Sequence, residues 1–409
     1  MRQPTFVIVG AGLAGAEAAA QLRKDGFDGH VVLLGEEATN PYERPPLSKA
    51  YLRGAMERPQ LDVRPESFYI DNAIELHVST RARAIQPHRH VVVLETGRRL
   101  RYDRLLLATG AAPKRLDLPG SHLSGIHYLR SVDDADAIRA AAGAASKAVV
   151  VGGGWIGAEV TASLRQMGLR VALVSPGSVP LERVLGEEVG KVYRDLHAEH
   201  GVELVMGQRV ASFRGRGAVE AVETTEGSRI DGDLVVLGVG AEPRTRLAAS
   251  AGLDVGDGVH ANARLETNAA GIFAAGDVAA AWHPLLGARI RVEHWDNARR
   301  QGRAAARAML GSSEPYVRIP YFYSDQYDFG MEYTGHAPSW DRVVFRGDPS
   351  RREFVAFWLH RGRVAAAMNA SVGPVSGALA ALVASRAQVA VDRLADPSSP
   401  LEDLGVLAA

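Results

Sequence analysis

The glycine pattern G-x-G-x-x-G occurs twice, and each copy constrains the chain around it more than any other feature. Place "FVIVGAGLAGAEAAAQLRKDGFDGHVVLLGE" from Phe6 beside "AVVVGGGWIGAEVTASLRQMGLRVALVSPG" from Ala148. Each is a short apolar run, a glycine pattern, an Ala-rich helical stretch and a second apolar run, which is a βαβ unit. The glycines are Gly10, Gly12 and Gly15 in the first copy and Gly152, Gly154 and Gly157 in the second. A lone pattern is weak evidence. Here each copy follows a predicted strand and opens a predicted helix, the setting of a dinucleotide fingerprint. The first glycine permits the tight turn, the second lets pyrophosphate approach the backbone, and the third lets helix pack on strand. The helix N-terminus then holds the phosphates. The competing reading is a tight structural turn in a doubly wound sheet.

The residue after the second strand discriminates nucleotides. In the first copy it is Glu36, 21 residues beyond Gly15, where a carboxylate accepts from a ribose hydroxyl. In the second it is Ser175, which bonds a 2′-OH without repelling a 2′-phosphate; Arg183 is the nearest base on that loop. NADH is favoured, with NADPH left open.

A second echo marks the seams. "DRLLLATGAAP" (103–113) and "GDLVVLGVGAEP" (232–243) each read as a buried strand and a glycine turn, returning to a sheet edge before the chain leaves its domain. The first nucleotide domain is therefore expected over 1–112 and 242–318, interrupted by a second over 113–241, with "GIFAAGDVAA" (271–280) supplying its last strand. From about residue 319 to 409 the pattern becomes alternating strands and an Ala-rich helix, a smaller α+β domain. The predicted class is α/β, two Rossmann-like domains plus that C-terminal piece.

Composition narrows the chemistry. The 409 residues are 46% hydrophobic and 23% charged with zero formal net charge, so nothing points to nucleic acid or an acidic membrane surface. No apolar run approaches the ~18 residues that span a bilayer. The start "MRQPTFVIVG" enters a strand at once, leaving no room for a signal peptide, and a cytoplasmic protein is expected. The chain contains no cysteine, which excludes thiolate nucleophiles, internal disulfide exchange and Cys-held metal within it. His88 and His90 have no companion acids nearby, and no metal site is expected. Five lysines stand against 42 arginines, and one of the five, Lys49, follows two prolines in "RPPLSK".

The stretches "GAGLAG", "RPPLSKAYL", "LLLATGAAP", "YLRSVDDA", "GGGWIGAE", "AAGDVA" and "YSDQYD" span essentially the whole chain. Together they resemble the FAD-dependent pyridine-nucleotide oxidoreductases of glutathione-reductase-like fold, and within them the ferredoxin reductases of oxygenase systems. The resemblance implies FAD on the first unit and NAD(P)H on the second. By position, FAD contacts would fall on Ala14, Glu36, Arg44, Lys49, Ala82, Thr109, Gly110, Arg130, Gly276, Asp277 and Trp295. NAD(P)H contacts would fall on Gly154, Ile156, Glu159, Ser175, Arg183 and the turn Gly238–Gly240. It also implies that the proline-stiffened "RPPLSK" loop delivers Lys49 to the flavin, paired with Glu159, as the catalytic pair. Where the family usually carries tryptophan, this chain has Tyr323, a ring that would still cover the flavin edge.

Many relatives pass electrons from flavin to an internal disulfide, a route closed to a chain without cysteine. The resemblance therefore implies hydride transfer from NAD(P)H to FAD, then single electrons to a [2Fe–2S] ferredoxin serving a P450 or ring-hydroxylating oxygenase. Two alternatives stay open: a reductase of rubredoxin or of a small oxidant such as monodehydroascorbate, and an apoptosis-inducing-factor-like redox sensor. Ferredoxins are acidic, so a basic docking face is expected. Arg299, Arg300, Arg303 and Arg307 recur at near-helical spacing, and Arg342, Arg346, Arg361 and Arg363 lie in the last domain. Ordinary solvated arginines are the competing reading for both groups.

Overall fold

The computed structural model describes residues 2–404. Contacts gather the chain into two units: one runs to Glu43 and adds Arg58–Ala112 and Ala241–Arg318, the other holds Arg44–Glu57, Pro113–Gly240 and everything from Ile319.

The first unit is built on a five-stranded parallel sheet, ordered Ile272–Ala274, Arg104–Leu107, Thr5–Val9, His30–Leu34, Ile74–His77. Its inner strands are continuous apolar runs because both faces are covered. Helices Leu13–Lys24 and Trp295–Met309 close one face around Leu22, Leu33, Phe273 and Ala306. The other face packs Val7, Leu105, Val259 and Val278 with the antiparallel strands Ala82–Gln86, Val91–Leu94 and Arg99–Arg101 nearby.

The second unit repeats the plan: Glu203–Met206, Arg170–Ser175, Lys147–Val151, Leu234–Leu237 and Ile126–Tyr128, all parallel. Its last part is a five-stranded antiparallel sheet ordered Tyr321–Gln326, Phe329–Gly335, Arg363–Ala370, Glu353–His360, Arg342–Asp348, backed by helix Ser376–Ser385. One core cluster joins Leu185, Val189 and Tyr193 of helix Glu182–Glu199 to Phe354, Trp358 and Met368 of that sheet, which is why contacts place both pieces in one unit. The fold is thus two Rossmann-like parallel sheets followed by an antiparallel C-terminal sheet.

Two details differ from the expectation. Strands Arg104–Leu107 and Leu234–Leu237 are interior rather than at a sheet edge, each flanked on both sides. Their unbroken Leu and Val runs are the composition of a strand buried on both faces. Segment 44–57 sits with the second unit, because Ser48 and Lys49 bond to Glu159 and the Ser163 hydroxyl donates to Ser48 O at 2.6 Å.

His197 carries a testable pH effect. It is fully buried, with Nε2 3.0 Å from Gln326 Oε1 and Nδ1 3.2 Å from the Tyr327 hydroxyl. Burial pushes its pKa down from 6.5 to about 4, against a smaller upward pull from the Gln326 bond. The unfolded chain takes up this proton near pH 6.5 while the folded one refuses it until about 4. The stability His197 contributes is therefore complete above pH 6.5 and drains away as pH falls toward 4, by on the order of 3 kcal/mol. His197→Gln should flatten the stability-versus-pH curve in that window in urea titrations; an unaltered slope would assign it to other groups.

Candidate active site

The first glycine turn is shaped as the pattern requires. Gly10 has φ +116°, and a Cβ there would lie 2.1 Å from Ala108 O. A Cβ on Gly15 would lie 2.0 Å from Gly10 O. Gly12 has nothing within 4 Å of its own Cβ position, so the middle of the turn is open. Ala14 and Gly276 meet closely: a Cβ on Gly276 would stand 3.0 Å from that of Ala14, and Gly276 N donates to Gln301 Oε1 at 2.9 Å. Asp277 follows in the same short turn, Gly276–Val278. Thr109 Oγ1 donates to Arg244 O at 3.1 Å, and Arg244 N donates to Gly110 O at 2.9 Å. Glu36, half-exposed, takes an ion pair from Arg244 Nη1 at 2.7 Å and one from Arg81 Nε at 3.5 Å. Ala82 starts an antiparallel strand opposite Leu94. Trp295 opens its helix with the Arg299 guanidinium 5.2 Å from its ring centroid.

The second turn repeats this geometry. A Cβ on Gly152 (φ +107°) would lie 2.4 Å from Gly238 O, one on Gly157 1.8 Å from Gly152 O, and one on Gly154 would meet nothing within 4 Å. Ile156 is exposed on the first helical turn, an apolar surface beside the open backbone. Gly240 (φ +111°) accepts from Lys114 N at 2.9 Å. Ser175 is buried at the end of its strand, and Arg183 is exposed on the following helix. Arg44 donates to Arg130 O, and Arg130 N donates to Asp134 Oδ2 at 3.0 Å.

Also in the second unit, Glu159 is the centre of a buried polar cluster. Lys49 Nζ stands 2.7 Å from its Oε2. Ser48 Oγ donates to the same oxygen, and Ser324 Oγ donates to Oε1 at 2.7 Å. The Lys49 ammonium also donates to Pro45 O at 3.3 Å and lies 5.8 Å from the Tyr323 ring centroid. Prolines 45 and 46 open a 3₁₀ turn whose end places Lys49. A carboxylate this deep needs a cation and full hydrogen bonding, and it has both. Burial, then the charges of Glu159 and Asp325, push the Tyr193 phenol well above its usual range. Tyr323 also lines an open cleft of about 530 Å³ with Tyr321, Asp325 and Glu332.

Ser48 and Ser324 escaped the sequence reading, although both lie inside quoted motifs, "RPPLSK" and "YSDQYD". Nothing local marks a serine as a carboxylate's partner. Ser324→Ala should cost about 1–3 kcal/mol by leaving Glu159 Oε1 without its donor. A melting temperature equal to the wild type's would show the bond to be immaterial.

The arginines of helix Trp295–Met309 are engaged within their own unit. Arg300 and Arg318 pair with buried Asp296 at 3.2 and 2.9 Å. Arg303 pairs with buried Glu17 at 2.5 Å, and Arg307 with Asp25 at 3.6 Å. In the last domain Arg346 donates to Pro397 O and Ser399 O, and Arg363 to Arg386 O; Arg342 and Arg361 are exposed.

The chain belongs to the pyridine nucleotide-disulphide oxidoreductase family, which it matches over residues 4–302, and residues 321–405 match the reductase C-terminal family. It is an oxidoreductase, and one without the cysteines a disulphide needs. It is 37% identical over 403 residues to the 5,5′-dehydrodivanillate O-demethylase ferredoxin reductase subunit of Sphingobium sp., across 97% of each chain. It is also 37% identical over 403 residues to the ferredoxin–NAD(+) reductase component of the anthranilate 1,2-dioxygenase system of Burkholderia cepacia, across 98% of this chain and 99% of the relative. A chain of the covalent putidaredoxin reductase–putidaredoxin complex superposes with a TM-score of 0.95 at 35% identity, covering 99% of this chain and 98% of that one. Among the described residues, no helix is long and apolar enough to cross a membrane.

Proposed function

We propose that the chain is an FAD-dependent NAD(P)H:ferredoxin reductase that feeds single electrons to a [2Fe–2S] ferredoxin, and through it to a P450 or Rieske-type oxygenase. Residues 1–112 with 242–318 would hold FAD, 113–241 would hold the nicotinamide nucleotide, and 319–409 would form the C-terminal domain. The observation that carries the reading is a pair of glycine turns, each closed at its first and third glycines and open at Gly12 or Gly154, in a chain with no cysteine. Both turns fit a dinucleotide, and no internal thiol pair is there to take electrons onward. We place the enzyme in the cytoplasm, where a nicotinamide donor and a ferredoxin acceptor would both reach it.

Bound FAD supplies the chemistry: it accepts a hydride and gives electrons up singly. The protein's own groups do the rest. Gly10–Gly15 with Gly276 and Asp277 would seat the flavin nucleotide, and Gly152–Gly157 the nicotinamide one. Glu159, held by Ser48 and Ser324, fixes the Lys49 ammonium in one position, and a fixed positive charge of this kind would stabilise negative charge developing on a reacting group beside it. No side chain need give or take a proton for the hydride itself. Rate then rests on positioning and electrostatics.

Anaerobic stopped-flow mixing of FAD-loaded protein with NADH, followed by ferredoxin-dependent cytochrome c reduction, tests this. Bleaching by NADH and turnover only with the iron–sulfur protein are expected. Full turnover with oxygen or a small oxidant alone would replace it by the small-oxidant reading.

A further inference from the structure

We infer that Glu182 is the residue by which the second βαβ unit discriminates against nucleotides carrying a 2′-phosphate; the inference rests on the nicotinamide-nucleotide reading of that turn. In such a unit, a carboxylate at the end of the second strand favours an unphosphorylated ribose. Strand Arg170–Ser175 ends instead on a buried serine, which by itself reads neither form. The loop beyond it supplies a carboxylate from another position.

Leu181 takes a left-handed backbone, φ +61°, and its N–H donates to Gly153 O at 2.7 Å, so the chain re-enters helix beside the glycine turn. Glu182 comes next and reaches back over the loop. Its Oε2 accepts the Ser178 N–H at 2.6 Å and stands 2.6 Å from the position of a Cβ on Gly177. The same loop is also tied to the next strand's end: Gly207 N donates to Gly177 O at 2.8 Å and Gln208 N to Ser175 O at 3.1 Å. Gly153 lacks a Cβ that would lie 2.9 Å from Ser175 Oγ, so loop and turn pack directly. The carboxylate is therefore held two to three residues past the strand end, on a loop pinned at several points.

The chemical consequence has two parts. A 2′-phosphate landing here would use the Ser178 N–H and the exposed Arg183 as donors, but Glu182 already occupies the first. The same carboxylate sets a negative charge against the incoming one, which is discrimination by repulsion. A free 2′-hydroxyl, by contrast, can donate to it. An acid favoured at a helix start by the dipole accounts for Glu182 as well, but predicts no effect on nucleotide choice.

Calorimetric titration of the FAD-loaded protein with ADP-ribose and with its 2′-phosphate separates these. Glu182→Gln keeps an acceptor for the Ser178 N–H and removes the charge. It should lower the preference for ADP-ribose over its 2′-phosphate by about tenfold, and the NADPH-to-NADH ratio of KM should fall in parallel while kcat moves little. An unchanged preference in the variant overturns the inference. Failure of the wild type to bind either ligand would overturn the nucleotide reading of the turn itself, and this inference with it.

Discussion

FAD-loaded Lys49→Met protein is expected to be reduced by NADH roughly 10²–10³-fold more slowly than the wild type, with flavin still bound. Lys49 and Glu159 form a 2.7 Å pair whose side chains are only 14% and 5% exposed. Removing the ammonium leaves the carboxylate with two serine hydroxyls and no counter-charge. The cluster then turns from balanced to negative, and on the proposed function that net charge would oppose the negative charge the reaction develops. Stability should fall as well, since stripping one partner from a buried pair costs about 3–5 kcal/mol. Adding Glu159→Gln removes the orphaned charge, so the double variant should regain much of the stability but not the rate. Stopped-flow absorbance and urea titration read the two effects separately. Wild-type reduction kinetics in Lys49→Met would make the pair purely structural.

Gly15→Ala and Gly12→Ala, three residues apart, should fail in different ways. At Gly15 the new methyl would sit 2.0 Å from Gly10 O and 3.2 Å from Ile8 Cγ2, and neither backbone nor core can yield cheaply. A loss of about 3 kcal/mol or more in the apoprotein is expected, with flavin lost as a consequence. At Gly12 the backbone is extended, φ −78° and ψ −173°, and the methyl meets no protein atom within 4 Å. That apoprotein should melt like the wild type yet fail to hold FAD, because the methyl occupies the approach of the pyrophosphate. Flavin content by absorbance and apoprotein melting by circular dichroism measure the two. Undiminished FAD affinity in Gly12→Ala would mean that the open middle of the turn is not where the nucleotide lies.

Much of this architecture was legible because its signals are local. A glycine with φ above +100°, such as Gly10 or Gly152, has to be glycine wherever the chain later goes. The runs Phe6–Val9 and Ala148–Val151 are apolar throughout because a parallel strand is covered on both faces. The edge position expected for Arg104–Leu107 was wrong for a related reason: strand order depends on which neighbours a strand finds, and Ile272–Ala274 arrives more than 160 residues later. The helix arginines were equally ambiguous, since a basic stripe reads the same whether it faces solvent or meets Glu17 and Asp296.

Side-chain pattern along the chain was enough to predict two nucleotide-type turns, a smaller α+β piece at the C-terminal end and a chemistry without thiols. It was not enough to show how one carboxylate is held. Glu159 takes its hydrogen bonds from serines 111 and 165 residues away, and its cation from the residue after the first of them. Glu182 likewise does its work by folding back on Ser178, beside a strand whose own end carries no acid. Backbone conformation is set within a few residues, whereas a buried charge is satisfied by whatever the packed fold brings to it.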